Sequence, residues 1–265
     1  MDMELKNTVA RLSDIVRNAG NIMLGVSGVE SNDDVYEKNG DANYVTVFDL
    51  KVQNYIMSEV KSIFPDAVFI AEEKENDPIV LQNDHCFILD PIDGTTNFIR
   101  NYKQSSISLA MVSNGKPVIG IVYNPYLDEL FSATLGGGAF MNGAPIAVSD
   151  RKLSEAVIGY GTSPYYKDEL GKKTFDTAYA VFRNCADLRR TGSAAIDLAN
   201  VAMGRIDGFF ELRLSPWDIA AGCVIVKEAG GLLTDFSGNE IDFSAPSSVV
   251  AAPHDLHREL MNVIR

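Results

Sequence analysis

Asp90 and Asp93 stand three residues apart around Pro91, and Gly94, Thr95 and Thr96 follow directly. Carboxylates offer the hard anionic oxygens that Mg²⁺ prefers. A glycine followed by threonines at the start of a helix presents backbone N–H groups suited to an anion. Side by side, these features suit a divalent cation bridging protein carboxylates and a phosphate. The same five residues, Asp-Pro-Ile-Asp-Gly, are also ordinary turn composition. Two other segments add weight to the metal reading. Glu72 and Glu73 close the apolar run Ala67–Ala71, and Asp218 follows Pro216-Trp217 at the head of a second apolar stretch. Each of these acids has a simpler reading as well. Asp218 suits a helix N-terminus by charge alone, Thr95 suits an N-cap, and Glu73 could merely solvate a turn.

Such residues need elements that end in one place. The run from His85 to Leu89 predicts a buried strand, so Asp90–Phe98 falls where that strand ends and the chain turns. Val9, Leu12, Ile15, Val16, Ala19, Ile22 and Met23 recur at helical spacing near the N-terminus. Residues 28–43, rich in Gly, Ser, Asn and Asp, predict a loop that carries Lys38. A second helix is expected from about Asp49, with Leu50, Val52, Tyr55, Ile56, Val60 and Ile63 buried, and Pro65 ends it. Strands are expected at Val68–Ala71, Cys86–Leu89, Ile107–Val112, Val118–Tyr123 and Leu130–Thr134, with Asn114-Gly115 as a hairpin turn. Gly136-Gly137-Gly138 lacks the Lys-Ser/Thr of a phosphate loop and reads as a connection between strands. Further on, strand and helix alternate: Ala156–Tyr160, a helix within 168–183, a strand near 185–190, a helix from Ser193, Ile206–Glu211, a helix from Trp217, Val249–Ala252 and a helix after Pro253. Meandering strands followed by alternation imply an α+β arrangement of mixed, largely antiparallel sheets covered by helices.

Composition narrows the function classes. The 265 residues carry a net charge of −13, which disfavours nucleic acid and anionic membranes as default partners. The same charge opposes an anionic substrate unless bound cations supply the positive field. No apolar run approaches the roughly 20 residues of a membrane span. Acidic residues near Met1 leave no room for the apolar core of a signal peptide. Cys86, Cys185 and Cys223 are scattered and do not group with His85, His254 or His257, so free thiols in a reducing cytoplasm are expected and a zinc site is not.

Taken in order, Val45-Thr46 with Asp49, Glu72-Glu73, Asp90–Phe98, Gly192-Ser193-Ala194-Ala195 and Trp217–Gly222 resemble the inositol monophosphatase family of Mg²⁺-dependent, lithium-sensitive phosphatases. The resemblance spans almost the whole chain. It implies an α-β-α-β-α sandwich, one domain over 1–265 with subdomains of about 1–150 and 151–265, and a homodimer. It also implies two or three Mg²⁺ per site, held by Glu72, Asp90, Asp93, Asp218 and the Ile92 carbonyl. Thr95, Glu72 and Asp49 then correspond to the residues that orient an attacking water. Asp93, Gly94, Thr95, Gly192, Ser193, Ala194, Glu211 and Asp218 correspond to the substrate contacts.

Several residues depart from the family pattern. Phe48 replaces a smaller residue before Asp49, Arg100 and Lys103 stand where many relatives carry His and Pro, and Arg213 stands where close relatives often carry Gly. These positions spare the expected metal ligands and bear on the leaving group. Inositol 1-phosphate leads the implied substrates. Fructose 1,6-bisphosphate, phosphoadenosine phosphate, NADP and histidinol phosphate are alternatives, and a non-catalytic binding protein is the rival class.

Overall fold

A computed structural model describes residues 3–26, 35–37 and 44–264. Helix α1 (Met3–Leu24) is followed by a two-stranded ribbon, β1 (Val35–Glu37) and β2 (Tyr44–Thr46), and by α2 (Val47–Ile63). A seven-stranded sheet comes next: β3 (Val68–Ala71), β4 (Cys86–Asp93), β5 (Ser106–Ser113), β6 (Lys116–Asn124), β7 (Glu129–Thr134), β8 (Gly138–Met141) and β9 (Ala144–Ile146), side by side in chain order. The short helix α3 (Thr95–Ile99) leaves the end of β4. A second sheet holds β10 (Val157–Tyr160), β11 (Asp187–Arg189), β12 (Gly208–Leu214), β13 (Gly231–Thr234) and β14 (Ser247–Pro253), in the order β11-β10-β12-β14-β13. Its helices are α4 (Lys167–Phe182), α5 (Ala194–Ala202), α6 (Pro216–Glu228) and α7 (His254–Ile264).

The sheets are mixed, and antiparallel pairs outnumber parallel ones. Their burial builds five layers. Along β4, Phe87 and Leu89 face α1 and α2, while Cys86 and Ile88 face α5 and α6. Both faces of β4 are therefore dry, which accounts for a continuous apolar run in place of an alternating one. Leu12, Val16 and Ile56 fill the outer layer, and Leu198, Ile225 and Val249 fill the layer between the sheets. On the far face of the second sheet, Val181 of α4 and Leu256 and Leu260 of α7 pack on Ile158 and Phe210. The order of layers is α-β-α-β-α.

The central layer is tight. A Cβ on Gly120 of β6 would lie 2.3 Å from the Ala221 carbonyl oxygen of α6. One on Gly222 would lie 2.5 Å from Leu198 Cδ1 of α5. These contacts set the height of α6, and with it the position of Asp218 in its first turn.

Several elements differ from the sequence expectation. Leu50 is exposed, because α2 begins at Val47 and turns that side of its first turn to solvent. Val35–Glu37, expected in a loop, pairs with β2. Lys38 lies outside the described residues. Strands β8, β9 and β13 are short and glycine-flanked, and the hydropathy pattern shows no sign of them. Finally, β4 does not stop at Leu89 but continues through Pro91 to Asp93.

Candidate active site

That continuation of β4 carries a bulge. Asp90 pairs with Ser108 and Asp93 with Ser106, so three steps on β4 match two on β5. In a regular strand, residues three apart point to opposite faces. The extra residue removes that difference and turns both carboxylates to one side. Pro91, which cannot donate to a ladder, sits within the irregularity. Asp90 Oδ1 accepts the Ile92 N–H at 3.0 Å, closing a local turn.

Asp218 arrives from the other side, in the first turn of α6. Its Oδ2 accepts the Ser215 N–H at 2.6 Å in a capping box. The helix-end reading and a ligand role thus coexist. Carboxylate oxygens of Asp90, Asp93 and Asp218 all lie within 4.8 Å of one another. Glu72, just past β3, is half-buried and lines the same cleft but is not one of that group of three. The Ile92 carbonyl, also on the cleft, accepts the Thr95 hydroxyl at 3.1 Å.

The electrostatics match this crowding. Burial pushes Asp90 well above the usual carboxylate range, and the charges of Glu72, Asp93, Asp218 and Asp49 push it further. Asp218 is raised in the same way, by burial first and then by Asp93 and Glu72. Asp93 rises only to about 6, because hydrogen bonds from Ser193 and from the Ala195 and Ala194 backbones offset its burial. Three carboxylates this close, two of them buried and Asp218 half-buried, repel unless protons or a cation lie among them. The donor set is all oxygen and anionic, which fits Mg²⁺.

Thr95 and Asp49 form a second group. Gly94, in the left-handed region at φ 86°, is the N-cap of α3, so Thr95 is not the capping residue expected of it. Its hydroxyl points inward, 3.4 Å from Asp49 Oδ1. Asp49 Oδ2 accepts the Thr46 hydroxyl at 2.5 Å and the Thr46 N–H at 2.8 Å, the capping box of α2. Burial lifts Asp49 to about 7 despite those bonds. Glu73 meets Gln53 through its backbone, at 3.3 Å from its N–H to Oε1 and 3.2 Å from its carbonyl to Nε2.

The second sheet supplies the opposite wall. Gly192, Ser193 and Ala194 reach the cleft at the head of α5. The Ser193 hydroxyl donates to Asp93 Oδ2 at 2.6 Å and also accepts from Ile196 N as the α5 cap. Its side chain therefore serves Asp93 and the helix, not an open contact. Glu211 sits at a second bulge, where β12 takes three steps against two on β14. Its Oε1 accepts the Ser163 N–H at 2.7 Å and lies 3.1 Å from the Ser163 hydroxyl. Burial raises Glu211 to about 7.

The cleft, about 600 Å³ in volume, also holds residues that sequence reasoning missed. Asp197, one helical turn past Ser193, accepts the Thr191 hydroxyl at 2.8 Å through Oδ2, while Oδ1 is buried without a partner. Its four-residue spacing from Ser193 was the available signal. Arg190 and Tyr165 gave none. Of the departures noted above, Arg213 lines the cleft, and Arg100 and Lys103 are not among its lining residues. Phe48 packs edge-on against Phe98 of α3, with ring centroids 5.9 Å apart.

Known proteins agree with this architecture over nearly its full length. The model of the inositol monophosphatase family matches residues 4–265. A Nus factor SuhB of Pasteurella multocida is 37% identical over 254 residues, covering 94% of this chain and 92% of that protein. A fructose-1,6-bisphosphatase/inositol-1-monophosphatase of Thermotoga maritima is 40% identical over 250 residues, covering 94% and 93%. The solved structure of extragenic suppressor protein suhB from Bartonella henselae superposes with a TM-score of 0.89 at 34% identity, covering 98% of both chains. This chain belongs to the inositol monophosphatase family.

Proposed function

We propose that the protein is a Mg²⁺-dependent hydrolase of phosphate monoesters on small polyols or sugars, with inositol 1-phosphate as the reference substrate. One observation carries the reading: the trio of buried Asp90 and Asp93 with half-buried Asp218, beside the first turn of α3. Those three, with Glu72 and the Ile92 carbonyl, would hold two or three Mg²⁺. When bound, the ions supply the positive charge that a phosphate dianion and its leaving oxygen require.

The chain's own residues account for the rest. The Gly94 and Thr95 N–H groups at the first turn of α3 orient the phosphate. Thr95 Oγ1 takes a proton from the attacking water as its own passes to Asp49 Oδ1. An Asp49 pKa of about 7 suits that exchange at neutral pH. Glu72, whose charge acts on Asp49 and Asp90, helps place the water. Ala194 and Gly192 shape the far wall, and Asp93 joins the two walls through Ser193. Glu211 Oε2 remains to accept a substrate hydroxyl, since Oε1 is taken by Ser163.

Among the described residues no helix is long and apolar enough to cross a membrane. Free Cys86, Cys185 and Cys223 support a cytoplasmic setting. A homodimer follows from the family resemblance. The test is phosphate release from inositol 1-phosphate, with and without Mg²⁺, alongside a search for a phosphorylated side chain during turnover. Mg²⁺-dependent release, slowed by Li⁺, with no phosphoenzyme is expected. A trapped phosphoenzyme, or release that survives chelation, would refute it.

A further inference from the structure

We propose that Asp197 is a positioning residue: through the Thr191 hydroxyl it fixes the turn 191–193, from which both Asp93 and helix α3 take their alignment. This extends the phosphatase reading and rests on it for the roles of Asp93 and α3.

Asp197 stands in the first turn of α5 and lines the cleft, with Oδ1 buried and unpaired. Among the described residues no other carboxylate oxygen is left in that state. Burial pushes its acid well above the usual carboxylate range, against the bond from Thr191, and the charges of Asp93 and Glu211 push it further. An orphan oxygen costs less on a neutral acid than on a carboxylate. What Asp197 contributes is therefore its place and its bond, not a charge.

That bond reaches a residue that touches both walls. The Thr191 hydroxyl lies 2.8 Å from Asp197 Oδ2 and 3.1 Å from the Ser193 carbonyl oxygen, and it accepts the Ser193 N–H at 3.1 Å. Asp197 is the one side chain bonded to it among the described residues. The Thr191 carbonyl accepts from Asn97 Nδ2 of α3 at 3.0 Å, and the same nitrogen donates to the Gln104 carbonyl at 2.7 Å. The turn between is packed without slack. Gly192 has φ 88°, and a Cβ there would lie 3.2 Å from Asn97 Nδ2. A Cβ on Gly94, the N-cap of α3, would lie 3.2 Å from the Gly192 carbonyl oxygen. A shift of Thr191 thus moves two parts of the site together. Ser193 carries its bond to Asp93 with it, and Asn97 carries the first turn of α3.

The probe is inorganic phosphate, titrated calorimetrically with Mg²⁺ into wild type, Asp197→Asn, Asp197→Ala and Thr191→Val. Phosphate release from inositol 1-phosphate and thermal melting are measured beside it. At a temperature where the variants are folded, phosphate affinity and kcat should each fall about 10-fold in Asp197→Ala and Thr191→Val, the low end for residues that orient a ligand. The double variant should fall no further than the larger single loss, because both changes remove one bond. Asp197→Asn keeps the shape and a polar group for Thr191 without the charge, and should return both values to near wild type. Wild-type affinity and kcat in folded Thr191→Val, with only Tm lowered, would make the network merely structural and overturn the inference. Losses that multiply in the double variant, or an Asp197→Asn as impaired as Asp197→Ala, would overturn it too. A wild type that binds phosphate but releases none from inositol 1-phosphate would sink the hydrolase reading, while the affinities still decide the role of Asp197. A wild type that binds no phosphate would overturn both.

Discussion

The Ser193 hydroxyl donates to Asp93 Oδ2 at 2.6 Å, joining a strand of the seven-stranded sheet to the helix that leaves the five-stranded one. The Ala195 N–H adds a second bond to the same oxygen at 2.7 Å. One oxygen of Asp93 thus docks the two walls, and the other remains for the acidic trio.

Asp93→Asn should separate these duties. The amide oxygen can keep the bonds to α5, while its NH₂ replaces a ligand oxygen with a donor. Turnover at saturating Mg²⁺ should fall by about 100-fold or more, given that even indirect ligand partners cost about 10–100-fold. The circular dichroism spectrum should be unchanged. Ser193→Ala should do the reverse, losing about 1–2 kcal/mol of stability as cap and cross-wall bond disappear. A retained wild-type rate in Asp93→Asn would remove it from the ligand set.

Metal removal has a thermodynamic signature. An ion that binds only the folded chain raises the melting temperature with its concentration. Mg²⁺ added to protein stripped with EDTA should therefore raise Tm, and Asp218→Asn should reduce the rise. Scanning calorimetry across a Mg²⁺ series checks this. A flat response in the wild type would mean that the trio does not hold the ion.

Glu211→Ala should do more than remove a substrate contact. It leaves the buried Ser163 N–H without its acceptor, which costs about 1–3 kcal/mol. The segment 161–166, which lines the cleft and is held to β12 through Ser163, then loosens, so KM for inositol 1-phosphate should rise more than KM for a simple aryl phosphate. Glu211→Gln, which retains an acceptor for Ser163, should restore most of the stability. Equal kinetic losses on both substrates would make Glu211 purely structural.

Gly120→Ala tests the central layer. The added methyl meets the backbone carbonyl of Ala221, which cannot swing aside as a side chain would. Overpacking of this kind costs about 1–3 kcal/mol. Because the strain falls on α6, Mg²⁺ affinity should weaken with stability. A variant as stable as the wild type would show that α6 sits further from β6.

His257 predicts a pH dependence. Its Nε2 lies 2.9 Å from Thr234 Oγ1, with the Val250 backbone and His254 also beside the ring. Burial, then His254, lowers its pKa from 6.5. The unfolded chain then binds a proton that the folded chain resists. The stability is present in full above about 6.5 and is lost as pH falls from there toward the folded pKa, by at most about 1.4 kcal/mol per unit. Urea midpoints at pH 7.5 and 5.5 should differ less for His257→Gln than for the wild type. Identical shifts in both would exclude His257 as the source.

Part of this design is readable from the chain itself. Asp90, Asp93, Glu72 and Asp218 stand at the ends of apolar runs, and a run that ends in acid is visible without coordinates. The parity of Asp90 and Asp93 is not, since the bulge depends on how β5 pairs with them. The link between Glu211 and Ser163 spans 48 residues of sequence and rests on a backbone angle that serine seldom adopts. Asp197 reads as a polar interruption of an apolar helix until its orphan oxygen is seen in the cleft. Leu50 misled because hydropathy marks a residue as apolar without saying which way the first turn of a helix faces.

The bulge in β4 constrains how this protein can change over generations. Point substitutions between Asp90 and Asp93 alter one group at a time and can be tolerated or compensated singly. Adding one residue to β5 between Ser106 and Ser108 would heal the pairing at three steps against three and swing Asp93 toward Phe87, Leu89 and the outer helices, into a dry layer with no use for a charge. The mismatch in length between the two strands is therefore what is inherited, and it is far less free to drift than the residues that fill it.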